Sequence, residues 1–199
     1  MDFKIIELPN VHFDHEKLLD YYNTISKSYN YLKWTADLIK NKPTQHSVDE
    51  MYAWAIQSNS LDPNIPCPPY HFSDPYPMRD PEEKFSTPTD LIFGIAKNII
   101  DSFPDVRQTV IAAHPPGTRI GTHVDNDEFI KIHIPIKSND KSYFIYEDET
   151  FVMKEGFAYL VNTTLPHGTD NQGDTDRIHL IFKLPTACVN DIIEKTYDI

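Results

Sequence analysis

The sequence predicts a mainly β fold with flanking helices: a sandwich or jelly-roll barrel preceded by a partly helical segment. Three observations carry this expectation. Two segments before Pro104 place apolar residues at helical spacing, and after Pro104 the period changes to two. The period-two segments are short and separated by Gly, Asn and Asp turns, the pattern of an antiparallel sandwich or barrel. About eight of them fit between Val106 and Pro185, enough for a small jelly roll.

In chain order, "FKIIEL" (residues 3–8) reads as a strand. "HEKLLDYYNTISKSY" follows as a helix whose apolar face is Leu18, Leu19, Tyr22 and Ile25. Over residues 42–88 the periodicity breaks, and "NSLDPNIPCPPYHFSDPYPMRDPEEKF" is rich in proline. Such a stretch is too long for a plain connector and reads as an ordered functional loop or a lid. With Trp54, Tyr70, His71, Tyr76 and Arg79 it can close over a site and select a substrate. "TPTDLIFGIAKNIIDSFP" is the strongest helix, capped by Thr89 or Asp90 and stopped by Pro104. Its face is Leu91, Ile92, Ile95, Ile99 and Ile100.

The strands then run "VRQTVIAAH", "RIGTHVD", "EFIKIHIPIK", "SYFIYED", "TFVM", "FAYLV", a segment around His167, and "RIHLIFKLP". "TACVNDIIEK" closes the chain as a short helix. The expected organisation is one domain over residues 1–199. Residues 1–104 pack on a barrel of residues 105–185, with a C-terminal helix in 186–199.

Composition narrows the partners. A formal net charge of −12 argues against nucleic acid and against anionic membranes, which attract Lys/Arg-rich surfaces. No run approaches the roughly 20 apolar residues of a membrane span. The opening "MDFKIIELPN" has no signal-peptide core. Cys67 and Cys188 are too few for a disulfide framework and read as thiols in a reducing compartment. A soluble, cytoplasmic protein is expected.

Two strands alternate sharply. In "EFIKIHIPIK", Ile130, Ile132, Ile134 and Ile136 share one face, with Lys131 and His133 on the other. In "RIHLIFK", Ile178, Leu180 and Phe182 oppose Arg177 and His179. The commoner arrangement puts the apolar face in the core and the charged face in water. The other puts the apolar face under the N-terminal helices and the polar face in a barrel mouth that holds an anionic ligand.

The chemistry concentrates in three places. His123 and Asp125, two residues apart, project to the same side of an extended strand. His167 follows Pro166 on an irregular turn, and Arg177 comes ten positions later. Two histidines and one carboxylate, with open positions left on the ion, form the facial arrangement of non-haem Fe(II) oxygenases. Arg177 suits the far end of a dicarboxylate, because guanidinium grips carboxylate through two parallel bonds. Each residue also has a plainer reading: His123 as a turn histidine, Asp125 as a turn former before Asn126, Arg177 as an ion-pair partner of Asp174 or Asp176. His179 reads as a barrel-filling histidine and His114 as structural, while His12, His15, His46 and His71 have no ligand spacing.

The order "HPPGTRIGTHVD", "KIHIPI", "KEGFAYLVN", "LPHGTDNQGDTDRIHLIF" resembles the aspartyl/asparaginyl β-hydroxylase family of 2-oxoglutarate-dependent dioxygenases, which includes proteins like the proline 3-hydroxylases. The resemblance covers residues 110–184. It implies a cupin-like double-stranded β-helix, with Fe(II) bound by His123, Asp125 and His167, and 2-oxoglutarate and O₂ as cosubstrates. Arg177 would hold the distal carboxylate of 2-oxoglutarate, with Lys131 and His133 where the family places an Arg and a His near the cosubstrate. Lys131 is a departure, because an ammonium makes no planar two-bond contact. Asp125 sets the chain apart from the animal peptidyl-aspartyl hydroxylases, which lack the acidic ligand, and closer to the free-amino-acid or microbial branch.

The implied reaction hydroxylates an unactivated C–H bond of a free or peptidyl amino acid and releases succinate and CO₂. The acidic surface favours a substrate with a cationic or amide group. The same residues also suit a non-catalytic cupin module, a metal-dependent hydrolase or isomerase, or a 2-oxoglutarate sensor. Arg177 speaks against the first two.

Overall fold

The computed structural model describes residues 2–29, 32–34, 46–47, 51–58, 86–125, 128–147 and 149–197. The elements before the barrel are β1 (Ile5–His12), α1 (His15–Ser28), β2 (Leu32–Trp34), β3 (His46–Ser47), β4 (Met51–Ala55), β5 (Gln57–Ser58), β6 (Thr87–Pro88) and α2 (Gly94–Asp101). Eight strands follow, the number the spacing predicts: β7 (Arg107–His114), β8 (Arg119–His123), β9 (Phe129–Lys137), β10 (Ser142–Tyr146), β11 (Glu149–Val152), β12 (Phe157–Val161), β13 (His167–Asn171) and β14 (Arg177–Pro185). A 3₁₀ turn, Thr186–Cys188, leads into α3 (Val189–Tyr197). Among the described residues no helix is long and apolar enough to cross a membrane.

Two antiparallel sheets form the double-stranded β-helix. The larger runs β1-β12-β9-β14-β7-β4-β2 and the smaller β11-β10-β13-β8-β3. The first strand runs to His12, beyond the predicted residue 8, with Pro9 on the sheet edge, where its missing N–H breaks no ladder bond. Met51–Ala55, in the stretch where periodicity breaks, is a strand: Ala53 pairs with Ala112 and Trp54 with Ile111. Two small residues and two short runs give little alternation to read there, so the partner strand decides the conformation.

Of the two arrangements for the alternating strands, the structure has the apolar face under the helices and the polar face turned inward. Ile130, Ile132, Ile134 and Ile136 of β9 and Ile178, Leu180, Phe182 and Leu184 of β14 pack in one cluster with Leu18, Tyr21 and Ile25 of α1 and Ala96 and Ile99 of α2. Each buried aliphatic side chain is worth about 1.5–3 kcal/mol, so the helix-covered face is a principal source of stability. α1 starts where the Asp14 carboxylate accepts from the Lys17 amide at 3.2 Å. It turns Tyr21 inward, between the predicted face residues, and the phenol donates to Leu91 O at 2.6 Å.

The helix expected from Thr89 begins only at Gly94. Thr89 instead donates its hydroxyl to the carbonyls of Ala55 and Ile56 at 2.9 and 3.1 Å, fastening the chain to the end of β4. Trp54 lies in the helix-side core, its ring edge-on to Tyr22 at 5.6 Å, and not over the barrel mouth. Tyr70, His71, Tyr76 and Arg79 of the expected lid lie outside the described residues.

With helices on one face of the larger sheet, its other face turns to the smaller sheet. A second, smaller cluster of Phe144, Tyr146, Met153, Tyr159 and Val161 fills part of that interior. The remainder is polar, and it is where the chemistry-bearing residues meet.

Candidate metal centre

His123 ends β8, His167 begins β13, and the two stand opposite each other in the ladder. Their rings lie 4.3 Å apart between centroids. Gly168 permits this approach. A Cβ there would stand 2.7 Å from the backbone oxygen Ile120 O, closer than real side chains come. Asp125 lies just past β8, its backbone N–H donating to Thr163 O at 2.9 Å. That bond ties the β8 lip to the turn before β13.

Both histidines are oriented the same way. His123 Nδ1 donates to Gly121 O and His167 Nδ1 to Leu165 O, each at 2.9 Å and each two residues back. A carbonyl only accepts, so a proton sits on Nδ1 of each ring and Nε2 is the nitrogen left to meet a ligand. Burial pulls the His167 imidazole down to about 4, against the backbone carbonyl of Leu165, so the ring is neutral near pH 7. His123 Nε2 lies 3.7 Å from Asp125 Oδ1, and His167 Nε2 3.9 Å from Asp125 Oδ2. Ligand atoms of all three residues fall within 4.8 Å of one another, a spacing that can hold a metal ion. Phe144 stacks on His167 at 5.5 Å and 6°, closing that side of the pocket.

Lys131 Nζ lies 2.5 Å from Asp125 Oδ2. Burial disfavours the Asp125 charge, but the Lys131 ammonium outweighs it and holds the carboxyl well below the usual carboxylate range. Lys131 thus sits on the carboxylate of the triad, at the mouth of the barrel.

Deeper on the inner face of the larger sheet lie Arg177, His179 and His133, with His114 opposite Arg177 in the β14–β7 ladder. Their exposures are 1%, 1%, 4% and 3%, so they are shut off from bulk solvent. Arg177 Nη1 and Nη2 have no hydrogen-bond partner among the described residues, and neither do His133 Nε2, His179 Nε2 and His114 Nδ1. Burial pulls the Arg177 guanidinium down to about 9, which leaves it charged at neutral pH. A buried charge with no counter-ion among the described residues is costly, which suits this guanidinium to an anionic partner.

All six residues singled out in the sequence therefore line one barrel interior. The metal-type triad and Lys131 stand at one level, with His133 and Arg177 below. His179, read from the sequence as a barrel-filling histidine on the Arg177 face, does lie there; Phe144 was not singled out, although the F-x-Y alternation already places it on an inward face.

The fold matches solved structures. An oxidoreductase of the 2OG-Fe(II) oxygenase family from Burkholderia pseudomallei is 16% identical with a TM-score of 0.55, over 92% of this chain and 85% of that chain. A predicted oxalate decarboxylase from Thermotoga maritima is 13% identical with a TM-score of 0.45, over 80% and 96%. A cupin domain from Bordetella pertussis is 18% identical with a TM-score of 0.34, over 39% and 79%. At 16% identity the likeness to the Burkholderia pseudomallei protein is one of fold. No curated protein matches the sequence. The model of the Aspartyl/Asparaginyl beta-hydroxylase family matches residues 81–186, more than half of the chain, and the protein belongs to that family.

Proposed function

We propose that the protein is an Fe(II)- and 2-oxoglutarate-dependent dioxygenase that hydroxylates an unactivated C–H bond of an amino acid or amino-acid residue. In this reading His123, Asp125 and His167 hold the iron. Arg177 holds the distal carboxylate of 2-oxoglutarate through two parallel bonds, and His133 lies near the same ligand. The observation that carries the reading is the Arg177 guanidinium, buried and without a carboxylate partner among the described residues, below a two-histidine, one-carboxylate cluster. A hydrolase or a simple metal-binding module has no use for that buried cation.

Bound Fe(II), with 2-oxoglutarate and O₂, supplies an oxidant for the C–H bond and releases succinate and CO₂. The chain's own residues position and exclude. The Nδ1 bonds to Gly121 O and Leu165 O aim the two Nε2 lone pairs. Lys131 occupies Asp125 Oδ2, leaving Oδ1 turned toward His123. Phe144 keeps water from the His167 side, where stray water would compete for the ion.

The test is succinate formation. Purified protein with Fe(II), ascorbate and 2-oxoglutarate in air is expected to release succinate above a His167→Ala control. A matching member of a panel of amino acids and peptides should accelerate it. Tight 2-oxoglutarate binding without succinate under either condition would assign the protein as a sensor instead.

A further inference from the structure

His133 Nδ1 and His179 Nδ1 lie 3.3 Å apart, rings nearly perpendicular at 80°. Two neutral imidazoles can share such a contact only if one nitrogen carries the proton and the other the lone pair. The ring that donates through Nδ1 has a bare Nε2. The ring that accepts through Nδ1 must carry its proton on Nε2. The pair therefore presents one N–H and one lone pair at its two Nε2 atoms, both buried and without a partner among the described residues. Both rings are neutral, because burial first and the Arg177 charge second oppose protonation.

The same end of the barrel holds Arg177 Nη1 and Nη2, also without partners, on the strand and face that carry His179 two residues on. The guanidinium charge repels a cation, so this cluster is not a second metal site. An anion fits it. A carboxylate accepts from the guanidinium and from the single imidazole N–H, and the neighbouring lone pair repels it.

We propose that His179 is a positioning residue for the cosubstrate: by engaging His133 Nδ1 it locks the pair into opposite tautomers, and the resulting Nε2–H completes the grip of Arg177 on the distal carboxylate. The inference rests on the reading of Arg177 as the anchor of that carboxylate. It adds a residue whose effect passes through a neighbouring ring.

Two measurements test it. In the full-length, ligand-free protein, ring ¹⁵N shifts of His133 and His179 should report one Nδ1–H and one Nε2–H tautomer; the same tautomer in both rings overturns the proposal without any substitution. Anaerobic calorimetry on the Fe(II)-loaded protein then compares 2-oxoglutarate with 2-oxopentanoate, which has the same chain length but no distal carboxylate. His179→Phe is expected to raise the 2-oxoglutarate Kd roughly tenfold and to move 2-oxopentanoate by less than about twofold. His179→Asn, whose amide reaches the Nδ1 position, should recover to within roughly threefold of the unaltered protein. Equal losses for both acids, no loss in the Phe variant, or an Asn variant as weak as Phe would each overturn it. Arg177→Met separates the two levels. If that variant keeps its preference for 2-oxoglutarate, the cosubstrate reading itself fails; if it alone loses the preference, only the role of His179 fails.

Discussion

Gly168 and Ile120 meet backbone to backbone, so closely that the space for a Cβ at position 168 ends at the Ile120 carbonyl, 2.7 Å away. The pairing of His167 with His123 depends on this contact, since Gly168 directly follows His167 in β13.

Gly168→Ala should therefore separate β13 from β8 and part the two imidazoles without emptying the core. The expected result is at least roughly tenfold weaker Fe(II) or Co(II) binding, comparable to losing a group that orients a ligand. Circular dichroism should remain that of the β fold. Undiminished metal affinity in this variant would mean that the strands adjust and that the close approach is incidental.

Asp125→Ala should abolish turnover and weaken metal binding by at least about a hundredfold, more than loss of an orienting neighbour costs. Lys131→Met gives the finer comparison. Lys131 Nζ lies on Asp125 Oδ2, so its removal should show mainly in metal affinity, by about tenfold, with the 2-oxoglutarate KM little changed. A change confined to that KM would place Lys131 on the cosubstrate instead.

Arg177→Met should divide stability from function. Deleting a buried cation with no partner among the described residues should stabilise the ligand-free protein by about 1–4 kcal/mol. The same variant should raise the 2-oxoglutarate KM by roughly tenfold or more, the worth of a charged hydrogen bond. Urea unfolding and steady-state kinetics on one preparation check both halves. Lower stability would show that Arg177 is satisfied in the free protein.

The buried histidines predict an acid-sensitive fold. His114, His133 and His179 are held well below the ordinary 6.5, by burial first and the Arg177 charge second. In the unfolded chain they take up protons as pH falls through 6.5, and in the folded chain they do not. The unfolded state then binds more protons, so stability is full above pH 6.5 and is lost below it. His167, lowered to about 4, withholds a fourth proton over the same range, and four protons correspond to a limiting slope of about 5 kcal/mol per pH unit. Unfolding free energies between about pH 7.5 and 5.5 measure it, and His179→Phe should remove about a quarter of the slope.

Much of this was legible in the residues. Phe157–Val161 and Arg177–Pro185 have the bounds the sequence predicts: the first is a short apolar run between Gly156 and Asn162, and the second alternates Arg177 and His179 with Ile178, Leu180 and Phe182. The triad was legible because His123 and Asp125 share a side at two-residue spacing. What alternation leaves open is which face meets water. Lys131 and His133 read as a solvent face until a second sheet covers them, and that covering comes from strands far away in sequence. β4 was illegible for a related reason: Ala53 and Ala55 carry almost no periodic signal, and pairing with β7 defines the strand. The 89–93 segment misled because Thr89 is a good cap, yet its hydroxyl is used by Ala55 and Ile56.

Phe144 touches both halves of the interior: its ring stacks on His167 of the smaller sheet and meets His133 of the larger one edge-on at 5.6 Å. The ion-type triad has two of its members on the smaller sheet, whereas the guanidinium that would receive the far carboxylate rides on the larger. In the proposed reading the gap between the sheets would set the distance from the ion to the guanidinium, so that core packing around Phe144, together with Arg177, would read the chain length of the oxo acid.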